Sequence, residues 1–409
     1  MSEGAALLPD AAWRGRSGLA RLVAALGRED LRIVGGAVRD SWLGLDVTDV
    51  DIATRLLPDQ VMERLQQAGI KAIPTGIAHG TVTAVADGDP YEVTTLRRDV
   101  ETDGRRATIA FASEWRDDAA RRDFTINALY ADPESGEIFD YFGGLADLAA
   151  GRVIFIGDAA TRIAEDHLRI LRFYRFAARF TKITVDGLSL DPASHQAVVA
   201  ARHSLKSLSR ERIADELLKI LALLDPYAVA AQMTKDGIFA VLLPESGEDG
   251  LSTLEALLVE ERAAGATPDG LRRLAALLPA DAAVAEQVAS RLRLSRRQRL
   301  HLAAIAGHRH DSSGSARQLA YHMGMAAARD TLLFRPGGAD ALLSLVDWTV
   351  PELPLKGGDI VARGLARGPA VAQLLKAVEA DWLAEDFPGA ERVQEILAQK
   401  IGAINERCQ

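Results

Sequence analysis

The sequence predicts an α+β protein, with a mixed α/β head leading into a long, all-helical body. Short apolar strand patterns and one hairpin signal are confined to the residues before Gly151. After Gly151, Ala, Leu and Arg dominate and the period of the apolar positions is helical nearly to the end. The chain has 409 residues, enough for two or three domains with a sizeable core. Hydrophobic residues make up 48% and charged residues 26%, which excludes wholesale disorder.

In the head, Leu31–Gly35 reads as a strand and residues 37–43 as a helix. Val50–Ala53 reads as a second strand, and Pro58–Ala68 as a helix with Val61, Met62 and Leu65 on one face. Thr81–Ala86 alternates and is expected to pair with Tyr91–Leu96 across Asp87-Gly88-Asp89-Pro90. Arg97–Trp115 is polar, charged and contains glycine, which predicts a mobile loop with a short strand at Ala107–Phe111. Phe124–Tyr130 and Ile138–Tyr141 close the head. In the body, helix breaks are expected near Asp186–Pro192, Asp225–Pro226, Pro244–Gly250, Pro268–Gly270, His310–Ser315, Arg335–Gly338 and Pro351–Gly358.

The single cysteine, Cys408, excludes a disulfide scaffold and any cysteine-ligated zinc or iron–sulfur centre. No apolar run reaches the roughly 18 residues of a membrane span, and Met1–Asp10 lacks a basic stretch followed by an apolar one. A cytoplasmic protein is therefore expected. The net charge of −9 argues against a surface that coats nucleic acid indiscriminately. The charge is uneven, however. Gly151–Lys219 holds twelve Lys/Arg against eight Asp/Glu, and Arg291–Gln318 holds seven arginines against Asp311 alone. Phosphate contacts need concentrated rather than average charge, so these segments suit an anionic partner, with a solvated helix face as the plain alternative.

Four patterns in the sequence carry chemistry. Gly35-Gly36 stands between strand and helix, where backbone N–H groups can approach a phosphate, and Arg39 adds a fork of charged donors. There is no G-K-[ST] and no G-x-G-x-x-G, so neither a P-loop nor a dinucleotide fingerprint is present. Asp49 and Asp51 flank one residue and so share a face of a strand. Two carboxylates about 5 Å apart repel by roughly 3 kcal/mol at an effective dielectric of about 20. Mg²⁺ would relieve that repulsion and bind substrate phosphates as well. Glu92, on the expected neighbouring strand, offers a third carboxylate. Arg122 suits a triphosphate and Asp123 a ribose hydroxyl.

Glu165–Phe180 reads as one amphipathic helix with Arg169, Arg172, Arg175 and Arg179 along one side. A simple Glu165–Arg169 pair on an exposed face would also explain part of it. The sharper reading uses Asp166 as an acceptor for an exocyclic amine and Arg169 as a donor to a ring nitrogen. Cytosine and adenine fit that pair, whereas uracil and guanine present the opposite polarity. Two mismatches would cost roughly 2–6 kcal/mol.

Taken together, these segments resemble the class II tRNA nucleotidyltransferases, the CCA-adding enzymes, and the related bacterial poly(A) polymerases. The matching motifs are V-G-G-A-V-R-D with D-V-D at Val34–Asp51, R-R-D-F-T-I-N-A-L at Arg121–Leu129, and D-Y-F-G-G-L-A-D-L at Asp140–Leu148. They continue with E-D-H-L-R-I-L-R at Glu165–Arg172 and S-R-E-R-I-A-D-E-L-L-K-I-L at Ser209–Leu221. His167 departs from the Pro or Tyr that many relatives carry. The resemblance implies a DNA-polymerase-β-like nucleotidyltransferase head, followed by an all-helical neck, body and tail. The expected segments are 1–30 (helical), 31–150 (head), 151–225 (neck) and 226–409 (body and tail).

By matching position, Asp49 and Asp51 would hold catalytic Mg²⁺, and Gly36, Arg39 and Arg122 would bind the triphosphate. Asp123 would contact ribose, Asp166 and Arg169 would read the base, and Arg172 and Arg175 would support the nucleotide. Asp140–Leu148 would act as a hinge or spring. The implied reaction adds CMP and AMP from CTP and ATP to the 3′ end of tRNA. The acceptor arm is expected on the neck and on Arg291, Arg293, Arg296, Arg297 and Arg299. Poly(A) or partial CCA addition is the nearest alternative, and a non-catalytic RNA-binding relative a remote one. A metal phosphohydrolase built on His301, His308, His310 and Asp311 lacks the further dispersed ligands that such a site needs.

Overall fold

In the computed structural model, which describes residues 6–99, 109–185, 187–247, 249–311, 314–365 and 367–407, the apolar patterns of the head become a seven-stranded mixed sheet. Helix α1 (Ser17–Leu26) buries Leu19, Leu22, Val23 and Leu26, the spacing of a single helical face. It lies close against the sheet at Gly18, where a Cβ would stand 2.6 Å from the Ala86 carbonyl oxygen. Strand β1 (Leu31–Val34) leads into α2 (Gly36–Trp42), β2 (Asp51–Thr54) and α3 (Pro58–Gln67). Then come β3 (Lys71–Gly76), β4 (Thr81–Ala86) and β5 (Asp89–Thr95). Burial alternates along β4, and its turn to β5 needs only Asp87 (φ 54°) and Gly88 (φ 94°), both left-handed. The hairpin is thus two residues tighter than the sequence suggests.

The region expected to be a mobile loop holds a small hairpin of β6 (Arg97–Asp99) and β7 (Ile109–Phe111), with Arg97 opposite Phe111. Residues 100–108, including the first part of the expected strand at Ala107–Phe111, lie outside the described residues, as does Cys408. Helix α4 (Trp115–Ala120), β8 (Leu129–Ala131), β9 (Ile138–Asp140) and α5 (Gly144–Ala150) complete the head. The strand order is β3-β4-β5-β2-β1-β8-β9. Among the described residues β2 and β5 run parallel, and the other neighbouring pairs of this sheet are antiparallel. Trp115 and Ala119 of α4 pack with Val34, Ala53 and Tyr130 in one buried cluster.

The chain then becomes helical, as expected, apart from a two-residue hairpin of β10 (Ile183–Thr184) and β11 (Gly187–Leu188). Helices α6 (Ala159–Glu165), α7 (Arg169–Phe180), α8 (Pro192–Ala200), α9 (Arg210–Leu221), α10 (Tyr227–Lys235) and α11 (Ile238–Leu242) follow. The helix expected over Glu165–Phe180 therefore begins only at Arg169, and Glu165 instead closes α6. Asp166 is extended at φ −151° and ψ 103°, and its Oδ1 accepts the Leu168 N–H at 3.1 Å, so it interrupts the helix.

The residues form two compact units: Met1–Glu216 with Ala228–Leu242, and Leu217–Tyr227 with Leu243–Gln409. Expected head and most of the expected neck fall in the first. The second contains α12 (Gly250–Ala263), α13 (Gly270–Leu277), α14 (Ala282–Arg291), α15 (Arg296–His308), α16 (Ala316–Met323), α17 (Met325–Leu332), α18 (Gly338–Leu343), α19 (Gly357–Ala362), α20 (Pro369–Ala384) and α21 (Ala390–Arg407). Each expected break falls between helices, and others appear at Arg293 (φ 55°) and Gly324 (φ 83°). Glu261, only 2% exposed, joins Arg272 (Nε, 2.6 Å) and Arg273 (Nε, 2.9 Å) inside this unit. No helix among the described residues is long and apolar enough to cross a membrane.

Candidate active site

Antiparallel pairing sets Val34 of β1 opposite Asp51 of β2, and parallel pairing sets Asp51 beside Glu92 of β5. The turn that follows β1 and the acidic end of β2 therefore meet at one edge of the sheet. Asp49, Asp51 and Glu92 are all exposed there. Asp51 is open at its surface yet backed by the sheet. That partial desolvation holds its carboxyl above the usual carboxylate range, and Glu92 and Asp49 push it further up while Arg122 opposes them. Among the described residues no Lys or Arg forms a salt bridge to any of the three acids. The donor set is hard carboxylate oxygen, and three acids face the partial compensation of Arg122, which suits Mg²⁺. No three His, Cys, Asp or Glu side chains converge on a common point among the described residues, so the fit rests on the Asp49–Asp51 pair together with substrate oxygens.

Gly35 has φ 71° and ψ −121°, a conformation that requires glycine, and caps α2. Its own N–H donates to the Leu129 carbonyl at 3.0 Å, so donors for a phosphate begin at Gly36. A Cβ on Gly35 would sit 3.5 Å from Arg122 Nη1, which places that guanidinium against the turn. Arg122 is held by Tyr130 Oη (3.0 Å) and Asp118 Oδ2 (3.1 Å), and Tyr130 donates to the same Asp118 oxygen at 2.6 Å. Burial works against its charge, but Tyr130 and Asp118 outweigh burial and keep Arg122 firmly protonated.

Arg39 lies deeper than its expected phosphate role suggests. It is 4% exposed, binds Asp40 through Nε at 2.7 Å and Asn127 through Nη1, and stacks over Phe180 at 4.6 Å. Burial lowers its pKa, with Asp40 pulling the other way. It braces the turn from beneath.

Asp123 also differs from the ribose contact expected of it. Its Oδ1 accepts Phe124 N–H and Asn127 Nδ2, each at 2.9 Å, and its Oδ2 accepts Arg172 Nε and Nη2, each at 2.6 Å. Both oxygens are doubly occupied, so in this state the carboxylate anchors α7. Burial raises its pKa, but Arg172, Asn127 and the Phe124 amide more than reverse this and hold it below the usual range. The other arginines of α7 are engaged as well. Arg169 reaches Glu165 Oε2 (2.6 Å), the Arg162 carbonyl (2.8 Å) and the Arg121 carbonyl (3.2 Å). Arg175 meets the buried Glu216 at 2.6 Å, and Arg179 lies 3.5 Å from Asp40. The stripe expected to support a nucleotide is tied to four other elements.

Asp166 and Arg169 sit together at the α6–α7 joint. Asp166 Oδ2 accepts Arg212 Nη2 at 2.7 Å. Sequence reasoning gave no role to Arg212, Glu216, Asn127, Asp118 or Tyr130, although the first two lie in the quoted Ser209–Leu221 motif. At the expected hinge, Asp140 accepts three backbone N–H groups, from Phe142, Gly144 and Leu145, which pin the start of α5.

In the second unit the expected RNA-binding arginines divide. Arg291 pairs with Glu245 (Nη2 to Oε2, 2.7 Å) and Arg299 with Glu286 (3.0 Å). Arg296 and Arg297 are exposed and line an open cleft of about 690 Å³ beside Met323 and Met325, and Arg293 sits at the helix break. His301 Nε2 lies 2.7 Å from Asp330 Oδ2.

With this geometry established, comparison with known proteins is direct. Residues 31–154 match the model described as "Poly A polymerase head domain". Residues 187–248 match "Probable RNA and SrmB- binding site of polymerase A". The chain is 35% identical over 367 residues to the mouse (Mus musculus) protein named CCA tRNA nucleotidyltransferase 1, mitochondrial, covering 86% of this chain and 82% of that one. It is 39% identical over 198 residues to a CCA-adding enzyme of Bacillus cytotoxicus, covering 48% and 47% of the two chains. The solved Bacillus stearothermophilus CCA-adding enzyme in complex with CTP superposes with a TM-score of 0.72 at 25% identity, covering 96% of this chain and all (100%) of that one.

Proposed function

The chain belongs to the family of CCA tRNA nucleotidyltransferases, and on that premise we propose that it adds CMP, CMP and then AMP to the 3′ end of tRNA. The 3′ hydroxyl oxygen of the growing end forms a bond to the α-phosphorus of CTP or ATP, and the bond to pyrophosphate breaks. The observation that carries this reading is the acidic edge at Asp49, Asp51 and Glu92, set beside the Gly35–Gly36 turn and Arg122. Mg²⁺ held by Asp49 and Asp51 would lower the hydroxyl's pKa and offset charge on the reacting phosphoryl oxygens.

The remaining roles fall to the chain's own groups. Amides from Gly36 onward and the Arg122 guanidinium hold the triphosphate in line. Asp166 accepts from the exocyclic amine of C or A, and Arg169 donates to the ring nitrogen beside it. Asp123, Arg39 and Arg172 hold these groups in register across the head and α7. Arg296 and Arg297, both exposed, are cations we assign to the tRNA backbone.

The test supplies tRNA ending at the discriminator base, at C or at CC, with each nucleotide singly and in combination, and sequences the products. Ordered C, C, A addition that stops is the expected result. Runs of A on arbitrary RNA would favour the poly(A) reading that the names of the matched family models keep in view. The relatives include proteins named as mitochondrial, so the cytoplasmic compartment expected from sequence stands as a proposal, tested by cell fractionation.

A further inference from the structure

A carboxylate discriminates between bases only as well as its oxygens are aimed. Asp166 sits outside regular helix, on extended backbone between α6 and α7, with 32% of its side chain exposed. Packing alone leaves such a side chain free to rotate. Two hydrogen bonds hold it: the Leu168 N–H on Oδ1 at 3.1 Å, and Arg212 Nη2 on Oδ2 at 2.7 Å. The first is local. The second arrives from α9, 46 residues along the chain.

We propose that Arg212 is a positioning residue for base selection, fixing the Asp166 carboxylate so that its remaining acceptor positions meet the base in one orientation. Each carboxylate oxygen can accept about two hydrogen bonds, so one position per oxygen is taken and one is left for an exocyclic amine. A pinned carboxylate also cannot turn away from the O4 carbonyl of uracil, so the mismatch keeps its full repulsion. Without Arg212 the side chain rotates. The correct base then loses an aligned acceptor while the wrong base escapes part of its penalty. Arg169 has separate anchors in Glu165 and two backbone carbonyls, so this effect falls on Asp166 alone. The inference rests on the reading of Asp166 as the base acceptor.

The test measures single CMP addition by the full chain to tRNA ending at the discriminator base, with CTP and with UTP. Arg212→Gln is expected to raise KM for CTP about 3- to 10-fold with kcat nearly unchanged. The CTP-over-UTP ratio of kcat/KM should fall by about the same factor. Arg212→Lys, which still supplies the one donor used here, should retain most of the preference. In an Asp166→Asn background Arg212→Gln should have no further effect, a coupling that a merely structural role would not produce. Should Arg212→Gln fail to fold, Arg212→Met carries the same comparison.

An unchanged CTP-over-UTP ratio would overturn the proposal. So would a lower KM, which would make Arg212 a competitor of the base, or a loss in Arg212→Lys equal to that in Arg212→Gln. A wild-type chain that transfers no CMP would instead overturn the functional reading beneath it.

Discussion

The acidic edge of the sheet and the arginine stripe of α7 handle charge in opposite ways. At Asp49, Asp51 and Glu92, like charges are held together without a salt bridge among the described residues, and they add to the partial burial that raises the Asp51 pKa. Along α7, Arg169, Arg172, Arg175 and Arg179 each have a carboxylate partner. Charge left open is where we propose that a cation and a substrate enter. Arg172 and Arg175 meet acids that are themselves buried, and there matched charge holds the protein in shape. A residue's type alone does not separate the two, because both regions are conspicuous in sequence for the same reason.

That contrast predicts which substitutions damage chemistry and which damage stability. Asp51→Asn or Asp49→Asn should abolish CMP addition, by about 10³-fold or more, while leaving thermal stability equal or slightly higher because repulsion is relieved. A cooperative unfolding scan beside the transfer assay checks both halves. Gly35→Ala comes next. It forces a side chain to φ 71° beside Arg122 and should cost about 1–2 kcal/mol together with much of the activity.

Asp123→Asn should show the opposite signature to Asp51→Asn, with stability lowered by about 2–3 kcal/mol at neutral pH. The sign of its pH dependence follows from the depressed pKa. The stabilisation is fully present above the ordinary carboxylate range and is lost as pH falls through the folded-state pKa, so variant and wild type should converge in acid. A gap that widened in acid would contradict the anchoring role. The smallest effects are expected in the second unit. Arg296→Ala with Arg297→Ala should weaken tRNA binding and reduce its salt slope by up to about 2 without changing stability. Arg291→Ala, which breaks the Glu245 pair, should cost up to about 1 kcal/mol of stability and leave that slope alone.

Much of the site could be read from the sequence because its chemistry is local. Paired glycines after a strand and two aspartates around one residue impose their geometry within a few positions. The Asp51–Glu92 neighbourhood was also within reach, since a hairpin strand beside β2 brings Glu92 to the same edge. What escaped depends on contacts made far along the chain. Periodicity began α7 at Glu165 because it cannot register the local bond from the Leu168 N–H by which Asp166 holds the chain out of helix. Strand β3 went unseen because it is mostly exposed and contains Pro74, which an edge strand tolerates. The depth of Arg39 and the saturation of Asp123 depend on Asn127 and Arg172, partners that no spacing rule selects.

Two arginines of α7 join the two sides of the proposed nucleotide site, Arg172 through Asp123 and Arg169 through a backbone carbonyl. Arg169 Nη2 donates to the carbonyl of Arg121, one peptide unit before Arg122. The side chain assigned to the base is thereby tied to the backbone beside the side chain assigned to the phosphates. In the proposed site, a base that displaces Arg169 would pull on the segment that carries the grip on the leaving pyrophosphate. Misrecognition would then be felt as misalignment, and a wrong nucleotide that manages to bind would be penalised again in the rate at which it reacts.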